Sequence, residues 1–281
     1  MARPSRRARV VHLITVATCT ALFAATALLV ARAQGRGQGP AGPQPSSAGQ
    51  SARFEYIGPQ SAGRIAAAAG VVGKPGVYYA GAASGGVWKS TDGGTTWKPT
   101  FDNESSQAIG ALAVAPTNPN IVWAGTGEAW AVRDMDMMGD GIYKSTDAGE
   151  TWTNMGLKET GRIGTIIVDP RNENIVLACA LGRATGPQKE RGVFRSEDGG
   201  RTWAHTLFVN EDTGCSGLQQ SKQDPNVIIA GTWEIFLQTH VLESGGMGSG
   251  IHISKAFAVK TAEITPTPEP ISRTVFSFGK R

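Results

Sequence analysis

The sequence predicts an all-β chain folded as a β-propeller of four-stranded blades, about three of them complete and a fourth partial. The first observation is a repeat. Ser90-Thr-Asp-Gly-Gly-Thr-Thr-Trp97, Ser145-Thr-Asp-Ala-Gly-Glu-Thr-Trp152 and Ser196-Glu-Asp-Gly-Gly-Arg-Thr-Trp203 share the pattern S-x-D-x-G-x-T-W. The second is spacing: Ser90 to Ser145 is 55 residues and Ser145 to Ser196 is 51. A period of roughly 50 with several short strands marks an array of β modules, because one such unit cannot bury its own faces. The third is what surrounds each copy. Two short β-prone runs flank a Pro/Asn turn, and a third run leads into the repeat, which gives four strands per unit and favours blades over a sandwich.

One copy reads as a hairpin. Val87-Trp88-Lys89, Ile142-Tyr143-Lys144 and Val193-Phe194-Arg195 each enter a turn and the tryptophan begins the return strand. Asp92, Asp147 and Asp198 can accept turn N–H groups, while Gly94, Gly149 and Gly200 can take positive φ. Ser90, Ser145 and Ser196 can close the turn from the other side. Trp88, Trp97, Trp152 and Trp203 are expected in the core between blades, as rings large enough to wedge between sheets.

These turns resemble the Asp-box, or bacterial-neuraminidase, repeat. Gly81-Ala-Ala-Ser-Gly-Gly-Val-Trp-Lys-Ser90 and Gly125-Thr-Gly-Glu-Ala-Trp130 resemble secreted bacterial propellers related to the sortilin N-terminal domain. The resemblance covers roughly residues 54–255. It implies that the boxes sit at blade turns, away from any ligand site, and that the chain recognises peptides or proteins. Asp boxes also occur in sialidases and xyloglucanases, so glycoside hydrolase is the alternative.

The chain begins differently. Arg3, Arg6, Arg7, Arg9 and Arg32 lie in the first 33 residues, which hold no acid. Of 27 Lys+Arg, 27 less 5 leaves 22 against 23 Asp+Glu. A nearly neutral remainder carries no electrostatic footprint for nucleic acid. The apolar run 10–30, followed by Ala31-Arg32-Ala33, reads as a secretory signal peptide over 1–33, cut before Gln34. An uncleaved membrane anchor is the other reading of a run this long, since about 20 residues span a bilayer. The Gly-, Gln-, Pro- and Ser-rich stretch 34–52 is expected to be a flexible linker. The propeller is assigned to 53–255, in a chain that is periplasmic or secreted.

The first unit is expected to run Ile65 to Val72, turn at Lys74-Pro75-Gly76, and return through Val77 to Ala80. The second has Ile109 to Ala115, the turn 116–120 and Ile121 to Ala124. The third has Ile163 to Val168, the turn 169–172 and Ile175 to Ala180. A fourth starts at Asp224-Pro225-Asn226 and reaches Ser254, at the place of a box serine, without a box following. Residues 256–281 hold one of the 37 glycines and none of the 7 tryptophans. They read as an aberrant or disordered tail, such as a frame shift would leave on a once longer array. The natural alternative is a tail that caps the last blade. Fewer than four blades cannot close a ring of about 4–8, so further blades or a second chain are expected to complete it.

Function is expected where the repeat is interrupted, because inserted loops project from one face. The link 125–140 holds Glu128, Trp130, Arg133, Asp134, Asp136 and Asp140; the link 181–191 holds Gln188, Glu190 and Arg191; the link 233–248 holds Trp233 and Glu234. Together they would form a rim suited to a peptide or glycan. Trp130 and Trp233 are expected to face ligand. Glu128 with Asp134 or Asp136 could form a glycosidase pair if about 5–9 Å apart; solvated loop charges or turn caps are the other reading. Asp134, Asp136 and Asp140 do not match an EF-hand loop, and no His/Cys ligand spacing appears. No metal and no cofactor are expected. Cys179 and Cys215 lie in successive units, so a disulfide is open to an exported chain, as is a buried thiol at Cys179.

Overall fold

In a computed structural model, residues 54–59, 63–131, 136–255, 265–266 and 274–277 are described, the last two stretches by their backbone. The expectations for the signal, the linker and most of 256–281 therefore lie outside the described residues. By contact the chain divides into Met1–Glu55 and Tyr56–Arg281. Only Phe54 and Glu55 of the first unit are described; all sheets belong to the second.

Three sheets have four antiparallel strands in chain order. The first holds β1 (Ile65–Val71), β2 (Lys74–Ala82), β3 (Val87–Ser90) and β4 (Lys98–Pro99). The second holds β5 (Ile109–Val114), β6 (Val122–Thr126), β7 (Ile142–Ser145) and β8 (Thr153–Asn154). The third holds β9 (Ile163–Asp169), β10 (Asn172–Ala180), β11 (Gly192–Ser196) and β12 (Ala204–Leu207). The fourth is larger, with β13 (Thr213–Gln220), β14 (Ile228–Gln238), β15 (Val241–Ser244), β16 (Gly250–Ser254), β17 (Thr265–Pro266) and β18 (Thr274–Ser277). Here β13 and β16 flank β14, and the far end of β14 continues as a hairpin with β15. The first strands of the sheets, β1, β5, β9 and β13, neighbour one another in turn. This is the blade arrangement of a propeller.

The boxes fold by one mechanism. Ser90 Oγ accepts the Gly94 amide at 2.9 Å and donates to Asp92 at 2.9 Å; Asp92 accepts the Thr96 amide at 2.9 Å and its hydroxyl at 2.6 Å. Ser145 with Asp147 and Thr151, and Ser196 with Asp198 and Thr202, repeat the set. Gly94, Gly149 and Gly200 stand at φ of 92°, 83° and 95°, where a side chain would be strained. Register is shared too: Ser90, Ser145 and Ser196 face Tyr78, Val122 and Val176 of the second strand, and Ser254 faces Ile228 in the same way.

Each interface between sheets carries its own core. Tyr79, Phe101, Tyr143 and Trp152 fill the first, Trp123 and Phe194 the second. The third holds the Cys179–Cys215 disulfide, its Cα atoms 5.2 Å apart and both cysteines buried. So Cys179 is not a thiol, and its partner Cys215 sits in β13 of the next sheet.

Four local expectations change. The first hairpin turns at Val72-Gly73, with Gly73 at φ 77°, because Gly supplies the left-handed residue that Lys74-Pro75 cannot. Each return strand begins one residue after its tryptophan. Trp88 and Trp97 are half-buried, while Trp123, in β6, is fully buried. The link in the fourth unit is the β14–β15 hairpin, not a loop.

Two outcomes follow from these bonds. Closing a loop of 36 residues is worth about 3–4 kcal/mol in chain entropy, so reducing the protein, or Cys215→Ala, should lower its melting temperature; an unchanged melt would count against the pairing. The Thr96 and Thr151 hydroxyls and amides hold the Asp92 and Asp147 carboxyls down to about 2, against about 3.9 unfolded. A depressed carboxyl stabilises above its unfolded pKa and loses that contribution as pH falls through its folded one. Melting temperature should therefore drop between pH 4 and 2, and Asp147→Asn should flatten that drop.

Candidate functional site

One bond recurs at the same end of every blade. In the first three blades the residue past the second strand, and in the fourth Ile235 within β14, donates its amide to the carbonyl of the residue ahead of the first strand. The pairs are Ala83 to Arg64 at 2.8 Å, Gly127 to Ala108 at 2.8 Å, Leu181 to Arg162 at 3.0 Å and Ile235 to Asp212 at 3.1 Å. These clamps gather the links 83–86, 127–141, 181–191 and 235–249 onto the ends of the inner strands. The links also lean on their neighbours. Gly139 donates to the Gly161 carbonyl at 2.7 Å, and a Cβ at Gly127 would collide with that same carbonyl.

Charges meet at these clamps. Arg64 pairs with Glu128 at 2.5 Å, the carboxylate buried and the guanidinium largely exposed. Arg162 is fully buried; its Nη1 donates to the carbonyls of Gly182, at 3.3 Å, and Arg183. Burial pushes its pKa down, and the carboxylates of Asp136 and Glu128 oppose that shift. Among the described residues, Arg162 Nε and Nη2 and Glu128 Oε2 are buried with no hydrogen-bond partner. Arg191 is also fully buried and ties three carbonyls: Asp212 at 2.5 Å, Ile235 at 3.2 Å and Gly186 at 2.9 Å. Its pKa falls by burial too, opposed by Asp212. A buried guanidinium persists where its donors find such acceptors.

Over the clamps lies a small apolar layer. Ala131 of the second blade, Leu181 and Ala184 of the third, and Ile235 and Leu237 of the fourth pack together, with Trp233 and Leu242 beside them. Leu237 donates to the Ala184 carbonyl at 2.7 Å. Links from three blades thus form one platform. Two clefts lie beside it and share Pro187. The larger, about 400 Å³, is lined by Asp212, Glu234, Ile235, Phe236 and Glu243; the smaller, about 240 Å³, by Glu159, Arg183, Gln188 and Glu190. Trp130, 74% exposed, projects from the second blade's link beside Ala131.

The residues named from sequence divide accordingly. Glu128 and Asp136 come near Arg162, and Arg133 and Asp134 lie outside the described residues. Trp130 and Glu190 are exposed. Gln188 is engaged at both ends, accepting from the Arg183 amide at 2.8 Å and donating to the Glu159 carbonyl. Arg191 and Trp233 turn inward: the guanidinium satisfies backbone carbonyls, and the Trp233 indole donates to Ser244 Oγ at 3.0 Å. Glu234 accepts the Gly248 amide at 2.9 Å while still lining the larger cleft. Among the described residues no group of three or more His, Cys, Asp or Glu could hold a metal ion. Asp140 instead accepts the Tyr143 hydroxyl at 2.7 Å. Arg64, Arg162 and Asp212 were missed. A signal for the first two was present, since Gly63-Arg64-Ile65 and Gly161-Arg162-Ile163 repeat at the start of an inner strand.

Comparison with known proteins gives relatives of the same kind of fold. A xyloglucanase from Paenibacillus sp is 28% identical over 151 residues, 49% of this chain and 14% of that protein. An oligoxyloglucan-reducing end-specific xyloglucanase from Emericella nidulans is 29% identical over 149 residues, 50% of this chain and 17% of that one. The chain thus spans less than a fifth of these relatives' length. The crystal structure of an ancestral GH74 enzyme superposes with a TM-score of 0.50 at 18% identity, over 76% of this chain and 31% of that one; at that identity the likeness is one of fold. The family model Sortilin-Vps10, described as sortilin, neurotensin receptor 3, matches residues 85–235. That match covers more than half of the 281 residues, and the chain belongs to the Sortilin-Vps10 family.

Proposed function

We propose that this chain is part of an exported β-propeller that binds an extended ligand, a protein, peptide or glycan, across its loop face. The observation that carries the reading is the platform: three blades contribute to one apolar layer, and two adjoining clefts lie beside it. A rigid, partly charged rim of this kind suits a polymer that crosses several blades. Export is supported by the Arg-flanked apolar run at 10–30 and by the buried disulfide, which belongs to an oxidising compartment. The family description names a receptor, which favours binding as the task.

Relatives named xyloglucanases favour a glycan as the ligand, and Trp130 offers an aromatic face to a sugar ring. Hydrolysis is the second reading. It needs an acid and a nucleophile or base at suitable separation, and Glu128 already has one oxygen engaged by Arg64. That contact supports binding over turnover.

Titration with xyloglucan oligosaccharides is expected to give saturable binding. Trp130→Ala should weaken it about thirtyfold, the effect of truncating an aromatic anchor worth about 2 kcal/mol. Reducing-sugar release that vanishes in Glu128→Gln and Asp134→Asn would replace the binding reading with hydrolysis. Absence of binding to both glycans and peptides would defeat it.

A further inference from the structure

The fourth sheet departs from the other three at one end. In the box-bearing sheets the second strand stops at Ala82, Thr126 or Ala180 and leads into a link. β14 instead runs for 11 residues. Past β13 and β16, its last four residues, Ile235 to Gln238, pair with Ser244 to Val241 of β15. This hairpin is held from the side of the apolar layer, where Leu237 is buried, Leu242 packs against it, and the Leu237 amide bonds the Ala184 carbonyl. β15 therefore turns a second edge away from β14, a row of backbone N–H and C=O groups that another strand can complete.

The chain shows what completes it. β18 pairs antiparallel with β15 in the register Val241↔Ser277, Leu242↔Phe276, Glu243↔Val275 and Ser244↔Thr274. The two strands are not joined by a turn: β15 ends at 244 and β18 begins at 274, 30 residues on, with β16 and β17 between. A hairpin owes its register to its turn; here the edge takes up a strand that arrives from elsewhere.

The side chains along this edge add a preference. Residues directly opposite one another in an antiparallel pair share a face. Glu243 stands opposite Phe236, and both line the larger cleft together with Asp212 and Glu234. Among the described residues that lining holds three carboxylates and no Lys, Arg or His. A residue of an added strand placed opposite Glu243 thus falls on the carboxylate-bearing face, where a cation is the complementary charge.

We propose that the β15 edge is a strand-addition site for an extended peptide of a partner protein carrying a lysine or arginine opposite Glu243, and that residues 274–277 hold the site when the partner is absent. Backbone bonds supply the affinity and the position opposite Glu243 supplies the choice of partner. The site goes beyond the platform reading and does not need a glycan as the platform's ligand.

Val275→Pro with Phe276→Pro in the full chain removes two strand amides and opens the edge. The probe is a fluorescein-labelled peptide, Ser-Arg-Thr-Lys-Phe-Ser-Phe-Gly, which is the sequence of residues 272–279 with lysine in the place of Val275. Its anisotropy is followed as protein is added. Saturable binding to the opened chain is expected, at least about tenfold tighter than to the parent, whose own strand competes at high effective concentration. With valine at that place the peptide should bind about fivefold more weakly, and with glutamate more weakly still. Glu243→Lys should reverse the order of the lysine and glutamate peptides. Replacing residues 274–277 by Gly-Ser-Gly-Ser opens the edge without proline and serves if the double substitution does not fold. No saturable binding to either opened chain, equal affinity for parent and opened chains, or binding indifferent to prolines at the peptide's two central places would overturn the proposal. So would loss of peptide binding in Trp130→Ala, since the peptide would then lie on the platform. Xyloglucan binding, measured on the same proteins, stands or falls separately.

Discussion

The array depends on one missing atom, the Cβ of the box glycine. Gly149 and Gly200 present a bare backbone to the ring of the preceding blade, and a Cβ there would stand 3.0 Å from Tyr79 and 2.5 Å from Trp123. The turn holds that backbone in place by itself. Ser145 and Ser196 bond the glycine amides at 2.7 and 2.8 Å, and the aspartates bond the threonines beyond. A local turn thus offers a flat seat for a distant ring. Burying an aromatic of this size removes about 150–250 Å² from water, or about 4–6 kcal/mol at 25 cal/mol/Å². That is enough to make the contact between blades a principal term rather than an ornament of the turn.

Stacking the blades in this way decides where chemistry can lie. Once β1, β5, β9 and β13 stand side by side, the links that follow each second strand share one end of the array. The backbone clamps then draw those links over the inner strands. Two buried arginines complete the job. Arg162 and Arg191 spend their charge on carbonyls of the links rather than on solvent, so they order the platform from beneath. What remains exposed is a rim with clefts, the feature on which the proposed binding role rests.

Local chemistry was legible in the sequence. The three boxes, the order of strands and the serine register follow from short-range turn rules, and the place of Ser254 could be read without a box after it. Non-local partners were not. Arg191 looks like a loop arginine on its own; only the carbonyls of Asp212 and Ile235, far along the chain, make it internal. Trp97 carries the same motif as Trp152, and Trp88 stands where Tyr143 and Phe194 stand, yet both are only half-buried. Trp123 sits in a run that reads as an ordinary strand, and its importance rests on Gly200 in the next blade. The disulfide stood open because its two cysteines belong to different sheets.

The most direct test of this account is a double-mutant cycle between Gly200 and Trp123, read by denaturant unfolding. Gly200→Ala in the parent should carry two costs, the strain of a positive φ and the collision with the Trp123 ring. In a Trp123→Leu background only the first should remain. The account predicts a coupling of at least about 1 kcal/mol between the two sites, well above the few tenths expected of independent positions. Additive effects would contradict it, since the glycine would then serve its own turn and not the contact between blades.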